Sequence, residues 1–414
     1  MISPTSGKRA VALVCAAQVL VQIGASFWPA LLPEMLREWQ LSYGEAGWIT
    51  AIFFLAYMLA VPVLVTATDR FDPRQVYLLG VGLTVLGHLL FALTASGFWS
   101  ALACRALTGI GWAGTYMTGL KLLADHVEPK LMSRATAGHA ASVGISGALS
   151  FACADFLYGL AGWKGAFFVA AISAASAWLL VVAAVPPAKA RDPNIVRAGG
   201  HFDFRPVFKN RSAMAYAIGY CIHTLEFHAL RGWGVAFLAF VAARTGTEST
   251  LVSPTTALTA LGIIATFASV IGNEGSIRFG RRRFITVTMI ASAACAAILA
   301  FAGARSYWLA VIILLAYGLI ISADSSSLTA GTAGSADPAR RGATLAIHSM
   351  LGYGGGFLGP LIVGWILDWV GGTNLAGWTA AYSAIAVLVV AGLVAFRLMQ
   401  PRDLIHDLPN RTPS

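Results

Sequence analysis

The sequence predicts an all-α membrane protein in which twelve transmembrane helices form two pseudo-symmetric six-helix bundles. Three observations lead to this fold class. The segment LAGWKGAF, residues 160–167, returns as LAGWTAAY at residues 375–382, and each copy stands between apolar stretches. Hydrophobic residues make up 57% of the chain and charged residues only 11%, well below the charged share of a typical soluble protein. Twelve apolar stretches are also long enough to cross a bilayer.

A helix crosses the hydrocarbon core with about 20 apolar residues, each adding about 1.5 Å. Because only helices satisfy their own backbone within lipid, we expect every span to be helical. The spans predicted in the first half are residues 10–33, 46–67, 76–96, 98–123, 134–158 and 165–185. Those predicted in the second half are residues 212–240, 252–276, 283–303, 306–332, 342–368 and 377–397.

These spans divide the chain into an N-terminal bundle, residues 1–185, and a C-terminal bundle, residues 212–414. Residues 186–211 contain Pro-Pro and Gly-Gly pairs and are a predicted cytoplasmic linker. The aromatic residues of the linker suit a short surface helix and an irregular loop equally well.

The loop charges predict the orientation. With the N-terminus in the cytoplasm, 21 Lys and Arg residues fall on the inner side and 4 on the outer side. Because cytoplasmic loops carry the excess of basic residues, both termini are predicted to be cytoplasmic, with the protein in a bacterial inner membrane.

Composition also excludes several classes of function. The net charge of +10 lies mainly in short loops, which fits membrane topology and not nucleic-acid binding. The five cysteines lie in apolar segments without CxxC spacing, so neither disulfides nor a metal site is predicted. No nucleotide-binding or hydrolase motif is present, and we expect neither an enzyme nor a cofactor.

Several motifs resemble those of one transporter family. The loops TDRFDPRQV, residues 68–76, and IRFGRRRFI, residues 277–285, resemble the major facilitator superfamily signature GxLaDRxGRRxxL, which appears once per half. LACRALTGIG, residues 102–111, resembles the arginine motif of the family's fourth helix. LAGWKGAF resembles the start of its sixth helix, and GGGFLGPLIVG, residues 354–364, resembles its eleventh. The resemblance covers nearly the whole chain.

The resemblance implies a cytoplasmic gate at these loops, held by charge-assisted hydrogen bonds to helix ends. The residues that match the gate are Asp69, Arg70 and Arg74 in the first half and Arg278, Arg281 and Arg282 in the second. The loops depart from the family pattern, with Val65 and Asp72 at glycine positions and Ile277 at the acidic position. The alternative interpretation is that these basic residues only set the orientation.

An ionisable side chain within a span is costly and marks a candidate functional site. Glu226 lies about 14 residues into the seventh span, roughly 20 Å deep and near the bilayer midplane. Glu226, His223 and Arg231 fall within an arc of about 140° at helical spacing and can face one cavity. We therefore predict that Glu226 carries a proton and that His223 and Arg231 contact the substrate. The alternative is a Glu226–Arg231 ion pair that only fixes the helix.

The tenth span contains one carboxylate, Asp324, beside a run of serines and a threonine in the sequence ISADSSSLTAG. Such a group can take part in proton coupling or bind a polar solute. Alternatively, the hydroxyls bond back to their own helix.

In the first half, the resemblance associates Arg105 of the fourth span with proton transfer or substrate charge. The alternative is a structural arginine that binds carbonyl groups of a neighbouring helix. Because first helices line the cavity in this fold, Gln18 and Tyr57 are also predicted to bind substrate.

Together these features predict a secondary transporter that moves a small organic anion by alternating access, coupled to protons. Two buried arginines favour an anion. The expected partners are the solute, protons and the bilayer, without nucleic acid, and the protein is expected to be a monomer. An efflux antiporter for drugs or metabolites is the first alternative, although the fifth span lacks the Gly-Pro pair typical of such exporters. A non-transporting sensor or scaffold is the second.

Overall fold

The computed structural model describes residues 7–68, 70–187, 204–247, 252–404 and 407, and within them every regular element is helical. The helices of the first half are α1 (Gly7–Gln22), α2 (Phe27–Ala30), α3 (Leu32–Glu38), α4 (Tyr43–Ala67), α5 (Pro73–Thr94), α6 (Phe98–Ala113), α7 (Tyr116–His126) and α8 (Pro129–Ala184). Those of the second half are α9 (Arg205–Lys209), α10 (Arg211–Thr245), α11 (Pro254–Phe279), α12 (Arg281–Ala302), α13 (Tyr307–Ala323), α14 (Ser325–Ser335), α15 (Arg341–Val370) and α16 (Leu375–Leu398). The all-α prediction is confirmed.

The helices agree with twelve spans. In the described part of the chain, nine helical segments are long and apolar enough to cross a membrane. One of them, α8, contains both the fifth and the sixth span. The first and fourth spans are each divided into shorter helices and so are not among the nine segments. These two spans and the double span of α8 bring the total to twelve. The short helix α9 lies in the predicted linker.

The first span was predicted to be continuous, but it breaks between α1 and α2 and extends through α3 to Glu38. The break leaves backbone groups without helical partners, and side chains satisfy them. The Ser26 N–H donates to Ser150 Oγ at 2.9 Å, and the Ala25 carbonyl oxygen accepts from Arg105 at 3.2 Å. The break therefore helps to position a predicted site residue.

The fourth and tenth spans, also predicted to be continuous, break at matching places. The fourth breaks at Gly114–Thr115, between α6 and α7, and the tenth breaks at Asp324, between α13 and α14. A histidine from the following span holds each second segment. His139 Nε2 lies 2.9 Å from the Tyr116 carbonyl oxygen at the start of α7. His348 bonds two threonine hydroxyls of α14, with distances of 3.0 and 3.2 Å.

The repeated GW segments form two different turns. In the first copy, Gly162 has φ 65° and ψ −176° and alone turns the chain between the two halves of α8. Only glycine adopts this conformation without strain. In the second copy, Asn374 Oδ1 caps α16 by accepting from the Gly377 N–H at 2.8 Å. Both tryptophans are buried, with Trp163 against Phe91 and Trp378 against Phe237.

Contacts divide the described chain into two compact units. Unit 1 contains the described residues within 1–31 and 52–199, and unit 2 contains those within 32–51 and 200–414. Residues 32–51, the end of the first span and the start of α4, thus pack with the second half of the sequence. The core of unit 1 includes Tyr77 and Leu122, and unit 2 has an aromatic core around Trp378.

Candidate functional site

Glu226 lies in the interior of unit 2, on α10, with 2% of its surface exposed. Its Oε2 accepts hydrogen bonds from the hydroxyls of Ser292 on α12 and Tyr317 on α13, the second at 3.1 Å. A buried carboxylate needs partners, and here both are neutral groups. Hydroxyls can donate to an ionised carboxylate or accept from a protonated one, so the pocket can accommodate both states of Glu226.

A second acidic site lies at the break of the tenth span. Asp324, 2% exposed, has its Oδ1 3.0 Å from His223 Nδ1, which comes from α10 one turn before Glu226. The same nitrogen is 3.0 Å from the Ile321 carbonyl oxygen. A single Nδ1 proton cannot point directly at both oxygens, and the carbonyl has the better hydrogen-bond geometry. Asp324 Oδ1 therefore lies against the imidazole but has no hydrogen bond.

The hydroxyls that follow Asp324 differ in their partners. Ser326 bonds Ser269 of α11 at 2.6 Å, whereas Thr329 donates to the Ser325 carbonyl of its own helix at 3.2 Å. Ser322, which immediately precedes the break, is buried and its hydroxyl has no hydrogen-bond partner. Some hydroxyls of this run therefore bond within their own helix, as in the alternative interpretation, and others bond α11.

Arg231 is half-buried on α10, and its guanidinium lies over the Phe227 ring at 5.4 Å from the centroid. The structure thus brings His223 directly to Asp324 and places Glu226 against α12 and α13, while Arg231 stacks on an aromatic ring of its own helix. Three predicted residues, Glu226, His223 and Asp324, share one region of unit 2.

Arg105 is the principal buried charge described in unit 1. It lies on α6 with 2% exposure, stacks over the Phe53 ring at 4.6 Å, and donates to the Ala25 carbonyl. Its Nε has no acceptor. The structural alternative is thus present in the carbonyl contact, but a guanidinium has five N–H donors and this contact leaves capacity for an anion.

A small cavity with a mostly apolar surface adjoins Arg105. Ala25 and Phe53, which contact the guanidinium, belong to its wall together with Val21, Gln22, Thr84, His88, Thr108, Trp112 and Thr115. Gln22 is 4% exposed, and its amide nitrogen has no acceptor. Gln22 and His88 are not among the predicted site residues, because a polar residue in an apolar span gives no sign of which wall it faces.

Gln18 and Tyr57 are buried in unit 1, but neither is among the residues that line this cavity. Gln18 Oε1 accepts from the Tyr77 hydroxyl at 3.3 Å, and its amide nitrogen has no partner. Tyr57 packs on Trp112, with 5.0 Å between ring centroids, and so forms a layer behind the cavity wall.

In the first predicted gate loop, Asp69 lies outside the described residues. Arg70 is exposed, and Arg74 donates to the carbonyls of Val181 and Val182 near the end of α8, at 3.4 and 2.9 Å. Arg74 therefore binds a helix end within unit 1. Lys121, which the predicted site does not include, donates to Val65 O and Thr68 Oγ1 at the end of α4, at 3.1 and 2.6 Å.

The second predicted gate loop is tied to the C-terminal segment of the chain. Arg281 is 2% exposed and binds both carboxylate oxygens of Asp407, at 3.0 and 3.1 Å. It also donates to the Ser327 carbonyl of α14 at 3.0 Å. The Arg282 N–H donates to Asp403 at 2.7 Å, and Arg278 is exposed. Arg281 thus has a specific buried role in unit 2 that orientation alone does not explain.

Across the residues that the structure describes, no three His, Cys, Asp or Glu side chains cluster as metal ligands would. The five cysteines are free thiols.

Comparison with known proteins gives consistent matches. The model of the Major Facilitator Superfamily matches residues 14–246 and again residues 228–412. Protein spinster homolog 1 of Homo sapiens is 23% identical over 248 residues, which cover 57% of this chain and 47% of that protein. A solved bacterial homolog of the human lysosomal transporter Spinster, in an inward-facing and occupied conformation, has a TM-score of 0.78 at 17% identity, covering 96% of this chain and 97% of the other. A mutant of the nucleoside transporter NupG has a TM-score of 0.77 at 15% identity, covering 94% and 99%.

At these identities the two solved structures show the shared fold alone. The chain spans between 14% and 50% of the length of the curated relatives it matches. The matches of the family model cover nearly the whole chain in two overlapping segments, in agreement with the repeat in its sequence.

Proposed function

The chain belongs to the major facilitator superfamily of secondary transporters, and from this premise we propose that it carries a small organic anion across the membrane together with protons. The excess of basic residues in the predicted inner loops supports a bacterial inner membrane with both termini in the cytoplasm. In this proposal Glu226 carries the proton, with Asp324 and His223 as a second ionisable pair. Arg105 and Arg231 contact the anion.

The observation that carries the proposal is the set of partners around Glu226. A Lys or Arg partner would hold a buried carboxylate in its ionised form. Ser292 and Tyr317 instead offer hydroxyls, which serve either protonation state by rotation. A carboxylate inside a span that keeps hydrogen bonds with and without its proton is suited to carry that proton between two sides of the membrane.

The anion is supported by Arg105 and by Gln22, which lines the small cavity beside it. The guanidinium is permanently charged and buried, and its Nε has no acceptor. The Gln22 amide, which also lacks an acceptor, lines the cavity wall. Two buried donors with unused hydrogen-bonding capacity, one of them cationic, suit a carboxylate or another small oxyanion.

A flux assay tests both parts of the proposal. Purified protein is reconstituted into liposomes that contain the pH indicator pyranine. Small mono- and dicarboxylates, nucleosides and organic cations are then added outside, one at a time. Proton symport predicts that one or more of the anions acidifies the lumen, while protein-free liposomes do not respond. The Glu226→Gln variant should lose this signal but retain anion binding in a thermal-shift assay.

Each of the other possible outcomes contradicts one part of the proposed function. Alkalinisation of the lumen on adding an organic cation would replace symport of an anion with efflux by antiport. Uptake of a labelled nucleoside without a proton signal would contradict both anion and coupling. An absence of flux for every compound, in protein that is folded by size-exclusion chromatography, would favour the sensor or scaffold alternative.

A further inference from the structure

We propose that Asp368 is a positioning residue of the transport cycle, which fastens the start of α4 to unit 2 and must release it before the transporter opens to the outside. The contact, called here the outer clasp, joins residues 43–48 of α4 to α15 and to the turn that follows it. The charge pattern places this end of both helices on the outer side. The inference rests on the proposed alternating-access function, but not on the identity of the solute or the coupling ion.

The clasp centres on one carboxylate and two backbone amides. Asp368 Oδ1 accepts from the Tyr43 N–H and Oδ2 accepts from the Gly44 N–H, each at 2.8 Å. Tyr43 and Gly44 begin α4, where N–H groups have no acceptor within the helix. A carboxylate here also interacts favourably with the positive end of the helix dipole. Asp368 is exposed, so water can replace the amides when they separate.

Small residues let the two helices approach closely around this contact. A Cβ atom at Gly47 would lie 2.9 Å from the Pro360 carbonyl oxygen, and one at Gly44 would lie 2.7 Å from Asp368 itself. Trp48 packs edge-on against Phe357, with ring centroids 5.5 Å apart. The fit is close, but its polar centre consists of hydrogen bonds that water can exchange.

The mechanical argument comes from the course of α4. Its residues up to Ala51 pack in unit 2, whereas its residues from Ile52 onward pack in unit 1. The helix is continuous through this point, and its one proline, Pro62, comes later. An unbroken helix cannot remain fixed to two bodies that move apart. In a cycle that separates the units on the outer side, the clasp is the contact that opens, because it holds the shorter part of α4 and water can replace its hydrogen bonds.

A reporter beneath the clasp measures its opening. Thr50 is 3% exposed, and its methyl group lies near Gly232 of α10. Thr50→Cys is introduced after the five native cysteines are replaced by alanine or serine. A membrane-impermeant maleimide is then added to right-side-out membrane vesicles without substrate or ion gradient. We expect Asp368→Asn, which keeps the shape but loses the charge, to speed labelling on the order of tenfold, in line with one lost charge-assisted hydrogen bond.

Three further variants distinguish release of the outer clasp from a general loss of stability. Asp155→Asn removes another exposed acid near the predicted outer end of a span and should leave labelling unchanged. Tyr43→Phe removes the hydroxyl contact with Thr373, which measures 3.2 Å, and should speed labelling by less than Asp368→Asn. Asp368→Glu keeps the charge and should fall between Asp368→Asn and the parent. If Asp368→Asn does not fold, the other two clasp variants still give the ordered series.

Unchanged labelling in Asp368→Asn with a lowered melting temperature would overturn the proposal and leave Asp368 as a static helix cap. Faster labelling only in inside-out vesicles would overturn the assignment to the outer side. The labelling assay uses no solute and no gradient. Its result therefore remains valid even if the protein does not transport an anion together with protons. The two proposals therefore fail separately.

Discussion

The two units share a scaffold and differ in the charge that they bury. Each has a broken span, at Gly114–Thr115 in unit 1 and at Asp324 in unit 2, and each holds the second segment with a buried histidine. Within its predicted spans, unit 2 buries two carboxylates, Glu226 and Asp324, whereas unit 1 buries a cation, Arg105. The shared features are those that build a bundle. The buried charges are not shared, and the proposed chemistry rests on them.

The largest expected effect concerns the buried carboxylates of unit 2. Glu226→Gln keeps the shape and the contacts with Ser292 and Tyr317 but removes the titratable group. We expect proton-driven accumulation of the solute to fall on the order of 100-fold, the scale of losing one proton-transfer group. Initial rates in liposomes with an imposed pH gradient measure this. Glu38→Gln, an exposed change at the end of α3, is the control and should leave the rate unchanged.

In unit 1, Arg105→Gln removes the buried cation beside the cavity. We expect the affinity for the anion to weaken about 10- to 100-fold, as one or two charge-assisted hydrogen bonds are lost. The maximal rate should change less, so the KM and the maximal rate of uptake must be measured separately. Arg134→Gln, exposed on α8, is the matched control. A fall in melting temperature with an unchanged KM would show that Arg105 serves only the Ala25 carbonyl.

A double-mutant cycle compares the His223–Asp324 pair of unit 2 with the Tyr77–Gln18 pair of unit 1. His223→Gln and Asp324→Asn, made singly and together, should give non-additive losses of stability, with a coupling of about 1–3 kcal/mol. Tyr77→Phe and Gln18→Met, which separate a neutral pair, should give a coupling below about 1 kcal/mol. Chemical or thermal unfolding in detergent measures both. Additive losses in the first cycle would mean that the 3.0 Å contact contributes no net energy.

The smallest effects are expected where the two units agree. His139→Gln and His348→Gln each remove a bond to the segment after a broken span, and each should lower stability by about 1 kcal/mol. The solute transport rate should stay within about twofold of the parent for both variants. If only His348→Gln changed transport, the histidine of unit 2 would belong with its buried charges and not with the shared scaffold.

The sequence predicts the helices well, because membrane length and hydrophobicity act locally along the chain. It does not predict the breaks at Gly114–Thr115 or Asp324. Both lie inside long apolar runs, and the side chains that satisfy the freed backbone come from other spans. The sequence also predicts a loop between the fifth and sixth spans. In the structure, the conformation of Gly162 alone makes this turn.

The candidate site can be predicted only in part from the sequence, for a similar reason. Helical spacing suffices to place Glu226 and His223 on one side of α10, but Ser292 and Tyr317 come from other helices. Arg281 appears in the sequence as one of three consecutive arginines, and only tertiary packing distinguishes it from Arg283, which is exposed. The partner of Arg281, Asp407, lies 126 residues away, a separation over which no local pattern operates.

The turn at Gly162 has a consequence for how the protein is made. The fifth and sixth spans have no loop between them, and the 56 residues of α8 are helical on both sides of this glycine. Because no polar connection separates the two spans, we expect them to enter the bilayer as a pair. A Cβ atom at Gly162 would meet no neighbouring atom, so only the backbone conformation forbids another residue there. We therefore expect a substitution at this glycine to lower the yield of inserted protein, with less effect on the transport rate of the molecules that mature.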